Sequence, residues 1–345
     1  MLMALVKRIG IDLGTANSVV YVQGKGIVLT EPTVVAVSVD DNRVVAVGSE
    51  AKEMLGRTPE SIVASRPMRD GVIADYVVTE AMLGYFIQKV SGKSFFFKPE
   101  VMICVPAGCT QVEKRAVEEA TYSAGAREVY IISEPFAAAL GAGVSVGEAS
   151  GNMIVDMGGG SAEAAVISLG GVVVSKSLRV SGNALDDAIA TYLRKNHGLV
   201  IGEQTAENIK LTIGRALASA EGTETDQKAV KSMEVKGRDT IQGLPKTVAV
   251  TAEEIEEAIK PRLMQIVSMV KSVLEEIPPE LASDIIDKGI VLSGGTALLA
   301  NLDKLLTEET GVPCHVAEDA MLCVAKGTGI ALDNLDLYKR AITKR

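Results

Sequence analysis

The chain has 345 residues, 47% hydrophobic and 3% aromatic with no tryptophan, a length that points to two domains and a composition that makes their cores aliphatic. Its formal net charge of -9 argues against nucleic acid as a partner, because that binding rests on basic side chains neutralising phosphates. Cys104, Cys109, Cys314 and Cys323 show no CxxC spacing and His197 and His315 are the two histidines, which excludes a His-rich metal site and reads as reduced, mostly buried thiols of a cytoplasmic protein.

Residues 1–6 are apolar, but Lys7 and Arg8 come after them, the reverse of a secretory signal. No apolar run approaches the roughly eighteen residues of a transmembrane helix. Residues 6–13 form a buried strand. It ends in Asp12-Leu13-Gly14-Thr15-Ala16-Asn17: an aspartate, a glycine and a hydroxyl, followed by a second β-rich run. Strands follow at 19–22, 27–29, 34–39 and 44–47, with turns at Gly24, Gly26 and 40–42. A short helix over 49–55 stops at Gly56. Residues 66–73 are a loop into a helix over 79–90.

Phe95, Phe96 and Phe97 are three of the five phenylalanines, bracketed by Lys93 and Lys98 between Gly92 and Pro99. They fit no helical or strand period. Two readings stand: a strand start packed into the core, or an exposed apolar loop that dips into a lipid surface while the lysines meet anionic headgroups.

A strand at 101–105 leads to Thr110-x-x-Glu113, a capping box for a helix to about residue 124 with Gly125 as its stop. A strand at 129–132 runs into Ser133-Glu134-Pro135 and an alanine-rich helix over 136–140, ended by Gly141 and Gly143. This is a candidate crossover between halves. Then Ile154-Val155-Asp156-Met157-Gly158-Gly159-Gly160-Ser161 repeats the design at 9–17. Three glycines reach φ > 0 and let a ligand touch the main chain. Successive N–H groups aimed into one concavity make an anion nest. Alone, the glycine run reads equally as a flexible loop. Two copies of strand, Asp, Gly and hydroxyl read as a duplicated fold whose halves each offer a phosphate loop to one nucleotide.

The second meander is completed by 164–169 and 172–177 around Gly170-Gly171. Helices follow over 184–195 and from Thr205, as N-cap, to about 220. Strands at 229–235 and 247–250 make a small subdomain around Gly243. Thr251-x-x-Glu254 caps a long helix in which Ile255, Ile259, Ile266, Val270, Val273 and Ile277 keep helical spacing. Pro261 within it predicts a kink or a restart. A buried strand at 289–292, then Ser293-Gly294-Gly295-Thr296, precedes a helix over 297–306. Residues 325–332 are a glycine-containing helix and candidate second hinge. The basic tail, 339–345, is expected to be solvated.

Asp12-Leu13-Gly14-Thr15, Asp156 to Ser161 and Ser293 to Thr296 occur in that order. They resemble the phosphate-1, phosphate-2 and adenosine motifs of the actin, sugar-kinase and heat-shock-chaperone ATPase superfamily. Within it the chain is similar, nearly end to end, to the MreB/Mbl-like bacterial actins. Residues 66–75, 201–207 and 278–286 carry that narrower likeness. The resemblance implies an α/β, actin-like ATPase fold of two duplicated domains, each with a small inserted subdomain, and a nucleotide in the interdomain cleft. Residues 1–147 with 320–345 would form one domain, with an insertion at about 33–66. Residues 148–319 would form the other, with an insertion at about 184–247.

It further implies ATP and Mg²⁺ as cofactors. Gly14, Thr15, Ala16 and Asn17 would lie along the phosphates, with Gly158, Gly159, Gly160 and Ser161 closing from the other side. Asp12 and Asp156 would hold the metal through its waters, which suits an ion that keeps several waters and takes few carboxylates. Glu207, Asn208, Ile209 and Lys210 would meet ribose and adenine, and Gly294, Gly295, Thr296 and Ala297 would admit the purine. Glu207 and Lys210 share one helix face, with an ordinary surface ion pair as the lesser alternative. Glu134 matches the carboxylate that positions the attacking water, with Ser161 beside it. The lesser alternative is a helix-start glutamate beside Pro135. Ser161 stands where the family has Thr, Ala162 where a second Thr is common, and Ser133 where Glu is usual, which puts the hydrolysis rate in question.

The function implied is an ATP-dependent, filament-forming cytoskeletal protein. It would assemble on the inner face of the cytoplasmic membrane and organise cell shape and cell-wall synthesis, with slow ATPase turnover. Its implied partners are further copies of itself in an antiparallel double filament, a lipid surface bound through Phe95, Phe96 and Phe97, and membrane-bound cell-wall synthesis proteins. Three rivals stay open: a metabolic kinase, a chaperone ATPase, and a nucleotide-binding scaffold without turnover.

Overall fold

The computed structural model describes residues 7–92, 98–218 and 231–344. The Phe95–Phe97 run lies outside the described residues. From the N-terminal side, β1 (Arg8–Leu13), β2 (Asn17–Val22) and β3 (Gly26–Pro32) form an antiparallel meander. β4 (Val35–Ser38), β5 (Val44–Val47), helix α1 (Ser49–Met54) and β6 (Ile62–Ser65) make a small inserted layer, its sheet ordered β5-β4-β6. The expected loop at 66–73 is a two-residue hairpin, β7 (Met68–Arg69) and β8 (Val72–Ile73). Asp70 and Gly71 at its tip have φ of 52° and 80°. α2 (Tyr76–Ser91) follows, its N-terminus capped by Asp75, which accepts the Val78 N–H. β9 (Glu100–Val105), α3 (Gln111–Ser123), β10 (Glu128–Ser133) and α4 (Glu134–Gly141) complete this half. Both bonds of the Thr110–Glu113 capping box are formed.

The second half repeats the plan. β11 (Asn152–Met157), β12 (Ala162–Ser168) and β13 (Gly171–Leu178) are again a meander, and α5 (Gly182–Asn196) follows. β14 (Leu199–Val200), α6 (Glu203–Ile213), β15 (Ser232–Asp239) and β16 (Pro245–Thr251) form the inserted layer. α6 starts two residues before Thr205, whose N–H donates to Gly202 O, and it stops at Ile213. α7 (Ala252–Glu276) runs through Pro261 without a restart. Its buried Ile255, Ile259, Leu263, Ile266, Val270 and Val273 contribute on the order of 10 kcal/mol together, against about 3 kcal/mol for a helix-interior proline. α8 (Pro279–Lys288) was not foreseen. β17 (Ile290–Ser293) leads to a 3-10 turn (Gly295–Leu298) and only then to α9 (Leu302–Thr310). The single helix expected over 297–306 is split there, because Asn301 takes a left-handed φ of 60° and Ala300 pairs with Arg215. β18 (Cys314–Val316), α10 (Cys323–Asp333) and β19 (Ile342–Lys344) close the chain. The basic tail is thus partly a strand, paired antiparallel with β10.

The two main sheets run β19-β10-β9-β1-β2-β3 and β13-β12-β11-β17-β18. In each, an antiparallel meander is extended by parallel strands, which require crossover connections. Asp12 and Asp156 occupy the same place, fifth of six residues, in β1 and β11. Between the sheets lies one apolar cluster that draws Met102 and Ile132 from the first, Ile154 and Ile167 from the second, and Phe136 to Leu140 from α4. α4 and α10 cross there with backbones in contact. A Cβ on Gly327 would stand 1.7 Å from Ala137 O, and one on Gly141 1.8 Å from Cys323 O.

Candidate functional site

Both Asp-Gly hairpins open into one cleft of about 1590 Å³ between the halves, larger than the few hundred to about 1000 Å³ usual for a ligand pocket. Their tips touch. A Cβ on Gly159 would lie 2.6 Å from Ala16 Cβ, and one on Gly160 2.4 Å from Thr15 Oγ1. Gly158, Gly159 and Gly160 do not take the positive φ expected of them; glycine fits here because the side chains of Ala16 and Thr15 leave no room for another. Hydroxyls tie the hairpins back by their carbonyls: Thr33 Oγ1 donates to Gly14 O at 2.7 Å, and Ser181 Oγ and Thr296 Oγ1 donate to Gly158 O at 2.7 and 2.8 Å. Among the described residues, the N–H groups of Thr15, Ala16, Gly159 and Gly160 donate to no protein acceptor. They form the concavity an anion would fill.

The electrostatics agree. Burial pushes the Asp12 carboxyl up to about 7, with the charge of Asp156 adding to it and a bond from Cys104 Sγ opposing. Burial lifts Asp156 to about 6 against the hydroxyl of Ser293, which donates at 2.6 Å. Glu134 heads α4 beside Pro135 and is held well above the usual carboxylate range by burial, then by Glu163, Asp12 and Asp156. Glu163, fully buried, is raised to about 7. Where a charge raises one of these groups it belongs to another of the four, so the buried floor behind the hairpins, of which Asp12, Glu134 and Asp156 face the cleft, is short of positive charge. That donor set fits a hydrated divalent cation. Among the described residues no group of three or more protein ligands is arranged for a metal, so such an ion would keep water or phosphate in most positions.

Toward the mouth, the Glu207 carboxylate pairs with Lys52 at 2.9 Å, and Lys210 Nζ reaches Asp186 at 2.9 Å and Gly182 O at 3.0 Å. Glu207 and Lys210 therefore do not pair with each other. Gln204 also donates to Lys52 O, and Arg66 faces Glu203 at 3.6 Å. The inserted layers of the two halves meet through these contacts.

Of the residues singled out from sequence, Asp12, Gly14, Thr15, Ala16, Asn17, Glu134, Asp156, Gly158 to Ser161, Glu207, Lys210 and Gly294 to Thr296 line this cleft. Asn208, Ile209 and Ala297 do not. Ile209 and Ala297 are packed in the apolar core of the second half, and Asn208 is exposed. Ala162 also faces that core, so the hydroxyl it lacks is not missing from the cleft. Asp186 and Glu163 were not foreseen. Their partners stand 24 and 56 residues away, and no local pattern marks them.

The sequence matches the MreB/Mbl protein family over residues 6–340. It is 53% identical to the cell shape-determining protein MreB of Escherichia coli over 335 residues, 96% of this chain and 94% of that one. It is 50% identical to the cell shape-determining protein Mbl of Bacillus cereus over 337 residues, 97% of this chain and 99% of the relative. The crystal structure of MreB5 of Spiroplasma citri bound to ADP has a TM-score of 0.88 at 36% identity, covering 96% of this chain and 98% of its own. The same protein bound to AMPPNP gives 0.89 at 35%, with coverages of 97% and 98%. With a duplicated actin-like fold, paired glycine hairpins in the cleft and near-complete likeness in sequence, the chain belongs to the MreB/Mbl family.

Proposed function

We propose that this chain is an ATP-dependent, filament-forming cytoskeletal protein that organises cell shape from the inner face of the cytoplasmic membrane. Residues 1–147 with 320–345 act as one body and 148–319 as the other. The observation that carries the reading is the meeting of the two hairpins, Gly159 against Ala16 and Gly160 against Thr15, with their N–H groups facing one cleft. A triphosphate bound there touches both halves, so it favours the closed arrangement by binding it better than the open one. Asp12 and Asp156 would hold a Mg²⁺ ion, which would supply charge neutralisation for the phosphates and for these two carboxylates. Relatives solved with ADP and AMPPNP support the nucleotide class.

Glu134 and Ser161 are the pair we assign to hydrolysis. Phosphoanhydride cleavage is mostly orientation and charge stabilisation, so a buried carboxyl from one half and a hydroxyl from the other suffice for slow turnover. Ser161 keeps the hydroxyl at the cleft. Membrane-bound cell-wall synthesis proteins and a lipid surface are the partners this role calls for. Among the described residues no helix is long and apolar enough to cross a membrane.

The test is pelleting with ATP, ADP and no nucleotide, alongside phosphate release and electron microscopy on lipid. ATP-dependent filaments with slow release are expected. Pelleting without release leaves a nucleotide-binding scaffold. Release that depends on a small acceptor, without filaments, moves the chain to the kinases and ends this reading.

A further inference from the structure

Glu163 is fully buried at the seam between the halves. In the second sheet it is flanked by Asp156 on β11 and Ser177 on β13. Its two carboxylate oxygens accept the Ala107 N–H at 2.9 and 3.1 Å. Ser177 lies opposite it on the neighbouring strand. Ala107 and Gly108 belong to the loop after β9, in the first sheet. That loop lies close on β13: a Cβ on Gly108 would stand 2.8 Å from Ser177 Cβ. One buried side chain thus fastens the main chain of one half to the other through the Ala107 N–H.

The position matters because of what lies beside each end of the clamp. β9 and β10 are parallel neighbours with Val105 opposite Ser133, so the 106–108 loop and Glu134 leave adjacent strand ends together. Across the seam, Ser161 precedes Glu163 by two residues. A Cβ on Gly71 would lie 3.0 Å from both Pro106 Cγ and Ser161 Oγ, so the loop and Ser161 already flank one point. We propose that Glu163 is a positioning residue: by gripping the Ala107 amide it sets where Glu134 of one half stands relative to Ser161 of the other. It does not act on the reacting atoms, because both its oxygens face the Ala107 N–H. The inference rests on the reading of the cleft as a nucleotide site.

The experiment separates reach from charge. Glu163→Gln keeps the length and one accepting oxygen. Glu163→Asp keeps the charge but draws it back by roughly 1.5 Å, one C–C bond. Gly108→Ala pushes the same loop off β13 from the other side. Amide hydrogen exchange at Ala107 is read on each protein, with affinity for a non-hydrolysable ATP analogue and single-turnover phosphate release. Misplacing reacting groups by about 1 Å can cost on the order of 10²-fold. We therefore expect Glu163→Asp and Gly108→Ala to expose this amide and to slow release roughly 10- to 100-fold. Analogue affinity should stay within about 3-fold, since the phosphate hairpins are untouched. Glu163→Gln keeps the amide protected and slows release no more than about 3-fold, the scale of one modest hydrogen bond. A protected amide in Glu163→Asp, or an exposed amide with wild-type release, overturns the proposal. So does Glu163→Gln behaving as badly as Glu163→Asp. If the wild-type protein binds no ATP analogue, the nucleotide reading has failed, and the exchange data still decide whether the clamp exists.

Discussion

Lys52 and Glu207 meet across the mouth of the cleft, ammonium to carboxylate at 2.9 Å, although 155 residues separate them. Each is about 30% exposed, at 31% and 28%, so the pair is screened and contributes little to folding, about 0.2–1 kcal/mol. Its place gives it another role. It ties the inserted layer of one half to α6 of the other, over the site where a nucleotide would enter. Lys52→Ala should leave the melting temperature within about 2 °C and raise the dissociation rate of a fluorescent ATP analogue by about 2–5-fold. Stopped-flow displacement measures this directly. An unchanged off-rate would show that the contact does not gate the mouth.

The carboxylates at the floor make stability depend on pH with a definite sign. Asp12, Asp156 and Glu163 have folded-state values raised to about 7, 6 and 7, whereas the unfolded chain releases these protons near pH 4. Between about pH 4 and 7 the folded protein therefore holds protons that the unfolded one has given up, and stability falls as pH rises through that window. Above about pH 7 the penalty is complete. A cation held by Asp12 and Asp156 would cancel their share of it, and the share of Glu163, which faces the Ala107 N–H, would remain. Mg²⁺ with nucleotide should raise the melting temperature more at pH 8 than at pH 5, and calorimetry at the two pH values is the check. An equal gain at both would remove Asp12 and Asp156 from the proposed metal site.

Glu134 is buried at 9% exposure, and its charge is opposed by three other carboxylates. Removing it should relieve the fold while harming the reaction, the trade expected where function stores strain in electrostatics. Glu134→Ala is expected to keep ATP, to melt at higher temperature without ligand, and to lose roughly 10²–10⁴-fold in phosphate release. Unchanged release would transfer the assignment to another group.

What could be read from the sequence was whatever is local. Both hairpins, both capping boxes and the long α7 rest on residues within a turn of each other. Asn208 and Ile209 could also have been excluded from sequence, since Glu207 and Lys210 share a helix face on which the two residues between them do not lie. The rest is decided at a distance. β19 exists because β10, more than 200 residues earlier, offers an open edge. The break before α9 follows from Ala300 pairing with Arg215. Glu163, Asp186 and Lys52 acquire their meaning only when the halves come together, and no composition or periodicity marks them.

The crossing of α4 and α10 holds the two sheets to one another, and its closeness rests on single atoms. A Cβ on Gly327 would stand 1.7 Å from Ala137 O, which is backbone and has no rotamer to retreat into. Gly327→Ala should therefore cost at least the upper end of the ~1–3 kcal/mol typical of overpacking. Gly147 has open space around it, and Gly147→Ala should stay within about 0.5 kcal/mol. Urea unfolding of the two variants makes the comparison. If Gly327→Ala matches Gly147→Ala, the helices are free to part and the crossing is a loose hinge.

Phe95, Phe96 and Phe97 lie beyond the described residues, and their prediction stands on chemistry alone. Burying one phenylalanine fully is worth roughly 1.5–3 kcal/mol, so three partly inserted side chains would supply on the order of 4 kcal/mol. Loss of translational and rotational freedom on binding costs at least as much. A single molecule should thus hold a bilayer weakly. A filament would repeat the Phe95–Phe97 run once per subunit, and linked copies gain affinity without any new contact. Changing all three to serine should abolish co-sedimentation with anionic liposomes and leave pelleting with ATP intact, whereas diluting the wild-type protein below its assembly threshold should lose lipid binding too. Serine-substituted filaments that still sediment with lipid would rule out this loop as the anchor, and tight binding by wild-type monomers would rule out the multivalent account.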